Sequence, residues 1–406
     1  MIEARPFAGA LRLAVAAVLL AGFPFAVGCR QAQPAPDYAR PLPPGAAALE
    51  PVTGPARDAV LDETARQMAD PAFVEALGRS ADWFRVASTQ QFFPVEGVTH
   101  DRARRSVEAV LELAEKYPGD TSGDASGGVR ADRLDARFDV YRSVGYDGSG
   151  VVLFTGYFSP EFTASRVRTG RFQYPIYTRP ADLVTDPKTG AVLGRSDAGG
   201  GVGPYPTRSQ IESADLLAGA ELVYLPTRLD AYTIEVNGSA KLRLTDGGTM
   251  TVGYAGTNGR EYTSIGRLLV ADGVLDRNTV SMPAIRRHFQ QHPRQLDDYI
   301  RQNDRFVFFQ EYPGGEWPAG SLGFRVTPER SVATDKKVFP RGGVVMVSTE
   351  LADGTPYRRL MLDQDTGGAI RAPGRADLYF GIGGEAERLS GAQAAEGRLF
   401  YLFLRE

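Results

Sequence analysis

Near the C-terminus the stretch DQDTGGAIRAPGRADLYFG carries acids on both sides of a glycine-rich turn: Asp363 and Asp365 open it, and Asp377 stands where the chain becomes aromatic. As bare residue types these are turn formers, since Asp bonds its own backbone and Gly accepts positive φ. The chemistry open to them is proton transfer, in which a carboxyl protonates a leaving oxygen or takes the proton of an attacking hydroxyl. Other chemistries find less support. Of three His, only His288 and His292 share a helix face, and HFQQH lacks both the Glu of a zincin motif and a third ligand. GGGVGPYP (Gly199 to Pro206) runs into prolines instead of a helix, and neither a phosphate-binding loop nor a G-x-S-x-G elbow occurs. One Cys in the whole chain, Cys29, leaves no thiol for catalysis if it is acylated. Carboxylate chemistry without metal or cofactor remains.

The elements that would position these acids are mostly strands. From Asp58 to Pro118 apolar residues recur at spacings of three and four, with Asp in capping positions, which predicts helices. Gly119 to Gly128 reads as a polar turn. After it, RFDVYRSVG, GVVLFTGYF and RFQYPIYTR alternate as strands, DLVTDPKTGAVLGR reads as a hairpin, and SQIESADLLAGAEL reads as a short helix. YTIEVNGSAKLRLTDGGTMTVGYAG reads as strand again, followed by three short helices. RFVFFQE, GFRVT, GGVVMVST, RRLMLDQ, ADLYFG and LFYLFLR close the chain as strands. With 406 residues, 46 Gly and 27 Pro, this predicts a mainly β, two-domain protein without the regular alternation of a doubly wound sheet. A net charge of −3 gives no general attraction to nucleic acid.

The N-terminus has its own logic. Behind Arg5 and Arg12, the apolar run Leu13 to Val27 is too short for a membrane span of about 20 residues and suits a signal segment. AVGC resembles a bacterial lipobox, with Ala26 where leucine is more usual, and would leave Cys29 as an acylated first residue. Residues 1–28 would then be a lipoprotein signal peptide, and the Pro/Ala-rich 29–55 an extended tether. Arg30, instead of Asp, after the Cys suggests a periplasm-facing lipoprotein of the outer membrane in a Gram-negative host.

The segments GYFSPEF, FQYPIY, EVNGSA, GYAGTNGREYTSIGRLLVADGVL and NDRFVFFQE, in this order, resemble the membrane-bound lytic murein transglycosylase A family. ATDKKVFPRGGVVMV and DQDTGGAIRAPGRADLYFGIG resemble that family's three-aspartate segment, and the likeness runs from about Asp139 to Phe403. It implies a double-psi β-barrel domain (56–157 and 303–406) interrupted by a smaller β-rich domain (158–302), with a groove between them for a glycan strand. It implies non-hydrolytic cleavage of the β-1,4 bond between N-acetylmuramic acid and N-acetylglucosamine, leaving 1,6-anhydro ends.

Carried over residue by residue, the catalytic aspartate is Asp377, sheltered from water by Leu378, Tyr379 and Phe380. Asp365 and Asp335 are supporting acids that brace the glycine turn. Thr155, Gly156, Tyr157, Ser239, Tyr254, Gly256 and Ser264 are expected to contact substrate. The family usually reads Gln-Gly-Ser-Gly where this chain has Asn237 to Ala240, which bears on substrate contacts. The residues leave two alternatives open. One is a hydrolytic muramidase using Glu161 as a second carboxylate; the other is a wall-binding protein that does not cut.

Overall fold

The computed structural model describes residues 36–117, 126–187, 190–276, 280–312, 320, 322–368 and 370–406. The expected signal peptide and the lipidation site Cys29 lie outside them. Among the described residues no helix is long and apolar enough to cross a membrane.

Among the described residues the first elements are strand β1 (Leu49–Val52) and helices α1 (Gly54–Gln67), α2 (Pro71–Phe84), α3 (His100–Lys116) and α4 (Ser126–Arg137). Strands β2 (Phe138–Ser143), β3 (Val152–Ser159), β4 (Glu161–Ala164), β5 (Tyr174–Tyr177), β6 (Leu183–Thr185), β7 (Val192–Ser196) and β8 (Val202–Gly203) follow. Next come α5 (Arg208–Ser213), β9 (Glu221–Leu225), α6 (Arg228–Asn237), β10 (Ser239–Leu244) and β11 (Thr249–Thr257). Helices α7 (Ile265–Ala271), α8 (Met282–Gln291) and α9 (Leu296–Arg301) lead to β12 (Val307–Tyr312). The last part is β13 (Ser331–Ala333), β14 (Val344–Glu350), β15 (Pro356–Asp365), β16 (Arg375–Ile382), α10 (Gly383–Ala392) and β17 (Ala394–Leu404).

An eight-stranded sheet runs in the order β1-β2-β17-β14-β15-β13-β16-β3, and an added β17–β3 pairing closes six of these strands into a ring. Closure removes edges among these six strands, and β1 remains the outer strand of the sheet. Helices α2 and α3 pack their apolar stripes on this ring. Asp70 caps α2 by accepting from the Phe73 amide at 3.0 Å, Pro71 fits the first turn, and Phe73, Ala76, Leu77, Ala81 and Phe84 are buried at helical spacing. These side chains share one apolar core with Val345, Leu360, Leu362, Leu378 and Leu402 of the ring. Truncating Phe73 to Ala would cost about 3–5 kcal/mol through the cavity left behind.

A separate four-stranded sheet, β12-β11-β10-β4, has its own core of Ile176, Val223, Leu225, Ile234, Leu242, Val252 and Phe309. β12 pairs antiparallel with β11, with a bulge between Tyr254 and Gly256, so Val307–Tyr312 belongs to this second sheet and not to the ring, where a boundary at 303 would have put it.

Other expectations change as well. Leu49–Val52, read as tether, pairs antiparallel with β2 and is an edge strand. Tyr232 to Asn237, read as strand, is helical: Thr227 caps α6 from the Asp230 amide, Gly238 ends it at φ +73°, and the β-branched Thr233 and Ile234 are buried there. Tertiary burial overrides β propensity in that segment. GFRVT contributes a single bridge and no strand, while α4 and α10 are helices where no helix was expected.

Candidate active site

The ring brings the acids together through strand pairing. Ala333 of β13 pairs with Asp365 of β15 on one side and with Asp377 of β16 on the other. Asp377 in turn pairs with Thr155 of β3, and Thr155 with Ala394 of β17. Two inter-strand steps put the Cα atoms of the acids about 10 Å apart. The residue between them carries only a methyl group, which leaves room above it.

Asp377 is held on one side only. Thr155 Oγ1 and Arg375 Nε (3.3 Å) both donate to Oδ1, and Arg375 Nη2 donates to Thr155 Oγ1 at 3.1 Å. Among the described residues no protein group donates to Oδ2. The carboxyl is 15% exposed, so it is sheltered without being sealed.

Asp365 is more fully engaged. It accepts from Tyr157 OH at 3.0 Å and from the Thr366 amide at 2.8 Å. Burial, then the Asp365 charge beside it, raises the Tyr157 phenol well above its ordinary value, so it stays a donor across the physiological range. Asp335 accepts from the Lys337 amide at 3.0 Å and from the Ala372 amide at 2.8 Å, and Ala372 has φ +62°. It thereby fixes the far end of the glycine turn.

Asp365 and Asp377 line a cavity of about 540 Å³, whereas Asp335 does not. Tyr157, Ser159, Ala333, Asp365 and Asp377 form the ring side. Gly367, Gly368 and Arg371 of the turn form another wall, and Ser239, Tyr254, Tyr262 and Arg305 come from the region of the second sheet. Among the described residues no group of three or more His, Cys, Asp or Glu could hold a metal ion.

The sequence is 33% identical over 273 residues to membrane-bound lytic murein transglycosylase A of Escherichia coli K12, covering 65% of this chain and 69% of that one. The chain belongs to the membrane-bound lytic murein transglycosylase A family. The Vibrio cholerae enzyme of the same name is 32% identical, over 64% of this chain and 67% of its own. Residues 153–310 match the MltA specific insert domain and residues 330–403 the 3D domain. Among solved structures, a membrane-bound lytic murein transglycosylase from Agrobacterium tumefaciens superposes with TM-score 0.72 at 26% identity, covering 88% of this chain and 98% of that one. E. coli MltA with bound chitohexaose gives 0.63 at 25% identity, over 93% and 98%. The protein is therefore a peptidoglycan lytic transglycosylase, a lyase.

Against this transglycosylase's geometry the expected site residues divide. Thr155 bonds Asp377 and Tyr157 bonds Asp365, while Ser239 lies 3.3 Å from Ser159 on the same cavity wall as Tyr157. Tyr254 lines the cavity and is 40% exposed. Gly156 points the other way: a Cβ there would meet Ser390 Cα at 2.6 Å and the Phe380 ring at 2.7 Å, so the glycine lets α10 pack on β3. Gly256 (φ +151°) lies in a neighbouring groove beside Arg179 and Leu183. Ser264 caps α7 by accepting from the Arg267 amide at 3.4 Å. Neither lines the acid cavity.

Of the neighbours expected to shelter Asp377, Leu378 and Phe380 belong to the ring core, because side chains alternate along β16. Tyr379 shares the face of Asp377, its ring 5.0 Å from that of Tyr157 and its OH 3.0 Å from Ser159 Oγ. Glu161 is held by Arg243 at 3.4 Å and is not part of the cavity wall. Tyr262, Arg305 and Arg371 were not foreseen. Each lies in one of the family-like segments, but those segments are far apart in sequence and only the fold makes the three neighbours.

Proposed function

We propose that this transglycosylase cuts the bond between N-acetylmuramic acid and N-acetylglucosamine without water, and that Asp377 carries both protons. The protonated Asp377 gives its proton to the glycosidic oxygen as the C1–O4 bond breaks and the electron pair leaves with N-acetylglucosamine. The muramoyl C6 hydroxyl oxygen then bonds to C1, and its proton returns to Asp377. Atoms balance without water, and the product carries a 1,6-anhydro ring. The nucleophile belongs to the substrate, so high effective molarity substitutes for a second catalytic carboxylate.

The observation carrying this reading is the division between the two Asp377 oxygens. Thr155 and Arg375 hold Oδ1, while Oδ2 has no protein donor among the described residues. One oxygen orients the group and the other is available for exchange. Asp365 has its oxygens engaged by Tyr157 and the Thr366 amide, which suits a bracing role. The hydrolytic alternative loses support because Glu161 lies outside the cavity wall.

We read the closed ring as a double-psi barrel and the second sheet as the inserted substrate domain, with the glycan between them. The chitohexaose bound by E. coli MltA supports a glycan occupant. Tyr157 and Tyr254 offer aromatic faces to sugar rings and Ser239 a hydroxyl, while the Thr155 hydroxyl is engaged with Asp377. The lipid anchor at Cys29 and an outer-membrane location facing the periplasm belong to the same proposal, supported by relatives named membrane-bound.

Digesting purified sacculi and weighing the muropeptides tests the reaction: the expected ends are lighter by one water than hydrolysed ends. Hydrated ends alone would overturn it. For the anchor, Cys29→Ala is expected to move the protein into the soluble fraction, and retention on the membrane would contradict the lipid attachment.

A further inference from the structure

The cavity wall contains two arginines that no step above uses. Its other charged groups are already matched. Arg208 is fully buried and pairs with Glu235 through Nη2 at 2.5 Å, and Asp365 is held by Tyr157 and Thr366. Arg375, beside the cavity, pairs with Asp377. Arg305 and Arg371 line the same space and, among the described residues, neither side chain has a carboxylate partner.

Their backbones are nevertheless fixed. Arg208 Nη2 donates to the Arg305 carbonyl at 2.5 Å, and the Arg305 amide donates to Asn303 Oδ1 at 3.3 Å. Next to Arg371, the Ala372 amide is tied to Asp335 at 2.8 Å, and the Arg371 guanidinium makes only a long 3.4 Å bond to the Ile370 carbonyl. Each residue is thus anchored at its main chain and free at its charged end. Arg371 approaches from the glycine turn between the acids, and Arg305 from the segment leading into β12.

We propose that Arg305 and Arg371 form a carboxylate-recognition site that selects muramoyl units over neutral sugars. This rests on the reading that the cavity holds glycan beside Asp377. N-acetylglucosamine has no acidic group. A muramoyl unit carries a lactyl ether that ends in a free carboxylate on peptide-free strands, or in an amide to a stem peptide that bears carboxylates of its own. A guanidinium offers a planar fork that matches a carboxylate, and a charge-assisted bond is about twice as strong as a neutral one. A polymer of N-acetylglucosamine would fill the same cavity without engaging either arginine.

The test uses the full chain with Arg305→Gln, Arg371→Gln and the double substitution. Initial rates are measured on peptide-free murein strands and on peptide-bearing strands, with equilibrium binding of chitohexaose as the neutral probe. The expected result is a KM raised about tenfold by each substitution on carboxylate-bearing strands. The kcat for anhydro-end release and the chitohexaose Kd should stay within about twofold. A KM effect on peptide-free strands assigns the lactyl carboxylate as ligand; an effect confined to peptide-bearing strands assigns the stem peptide. Parallel loss of chitohexaose binding, or an unchanged KM on both strands, overturns the site. Arg305→Lys and Arg371→Lys keep the charge and should recover part of the KM, and thermal midpoints separate lost recognition from lost folding. Failure of the Asp377 reading appears elsewhere, as anhydro ends released by Asp377→Asn, and would leave the charge-selective KM pattern untouched.

Discussion

Asp363 and Asp377 flank one glycine turn, yet their surroundings differ completely. Asp363 is fully buried in the ring, where Lys336 Nζ bonds Oδ1, and Tyr401 OH (2.7 Å) and Thr334 Oγ1 (2.8 Å) donate to Oδ2. Burial pushes its carboxyl up and the Lys336 ammonium down, each resisted by the opposite charge of the other. Asp377 has one oxygen held and the other without a protein donor among the described residues, on the wall of a cavity. The difference teaches that saturation of a carboxyl separates cohesion from chemistry. A group with both oxygens bonded by protein donors holds strands together; a group with one oxygen unbonded in a sheltered space can exchange a proton.

The largest stability effect should come from breaking the buried site. Asp363→Asn leaves Lys336 without its counter-charge and is expected to cost about 3–5 kcal/mol, whereas Asp377→Asn should cost under about 1 kcal/mol. Chemical denaturation of the two variants side by side checks this, and equal costs would erase the distinction.

A smaller loss is expected where the ring meets its helix. In Gly156→Ala the new methyl meets Ser390 Cα and Phe380, and overpacking of this kind costs about 1–3 kcal/mol. The thermal midpoint should fall, while folded protein keeps its KM. A raised KM with an unchanged midpoint would return Gly156 to the substrate side.

Thr155→Val sharpens the comparison from the active end. Losing one hydrogen bond to the Asp377 carboxylate should lower kcat about tenfold and change stability little. An unchanged kcat would mean that Asp377 needs no orienting partner.

The smallest effect concerns acid pH. Burial alone would raise the Asp70 carboxyl, but Arg330 and the amides of Phe73 and Ala72 outweigh it and hold it below 3.8. The stability it adds is therefore complete above about pH 4 and is lost as pH falls through the lower folded value. Asp70→Asn should cost about 0.5 kcal/mol at neutral pH after solvent screening, and should flatten the acid limb. Denaturation between about pH 2 and 6 measures it, and an acid limb as steep as before would contradict the assignment.

What was legible in the sequence followed local chemistry. The helical stripes of α2 and α3, the strands around VVMVST and LFYLFL, and the motif acids all announce themselves by spacing. The closure of the ring does not, because it depends on pairings between distant strands such as Asp377 with Thr155. Nor does the partnership of Lys336 with Asp363, which needs β13 and β15 brought side by side. α6 was misread because β-branched residues inside a well-capped, buried helix look like strand. Gly156 and Ser264 sat in substrate-like motifs, but one serves helix packing and the other a helix cap.

The central claim is that one carboxyl performs both proton transfers, and it is tested most directly by comparing anhydro-ended fragments released from sacculi by the unsubstituted protein and by Asp377→Asn. The account predicts a loss of roughly a thousandfold in release, within the range for a general acid–base group, with the thermal midpoint nearly unchanged. Anhydro-ended fragments released by Asp377→Asn at the unsubstituted rate would contradict it.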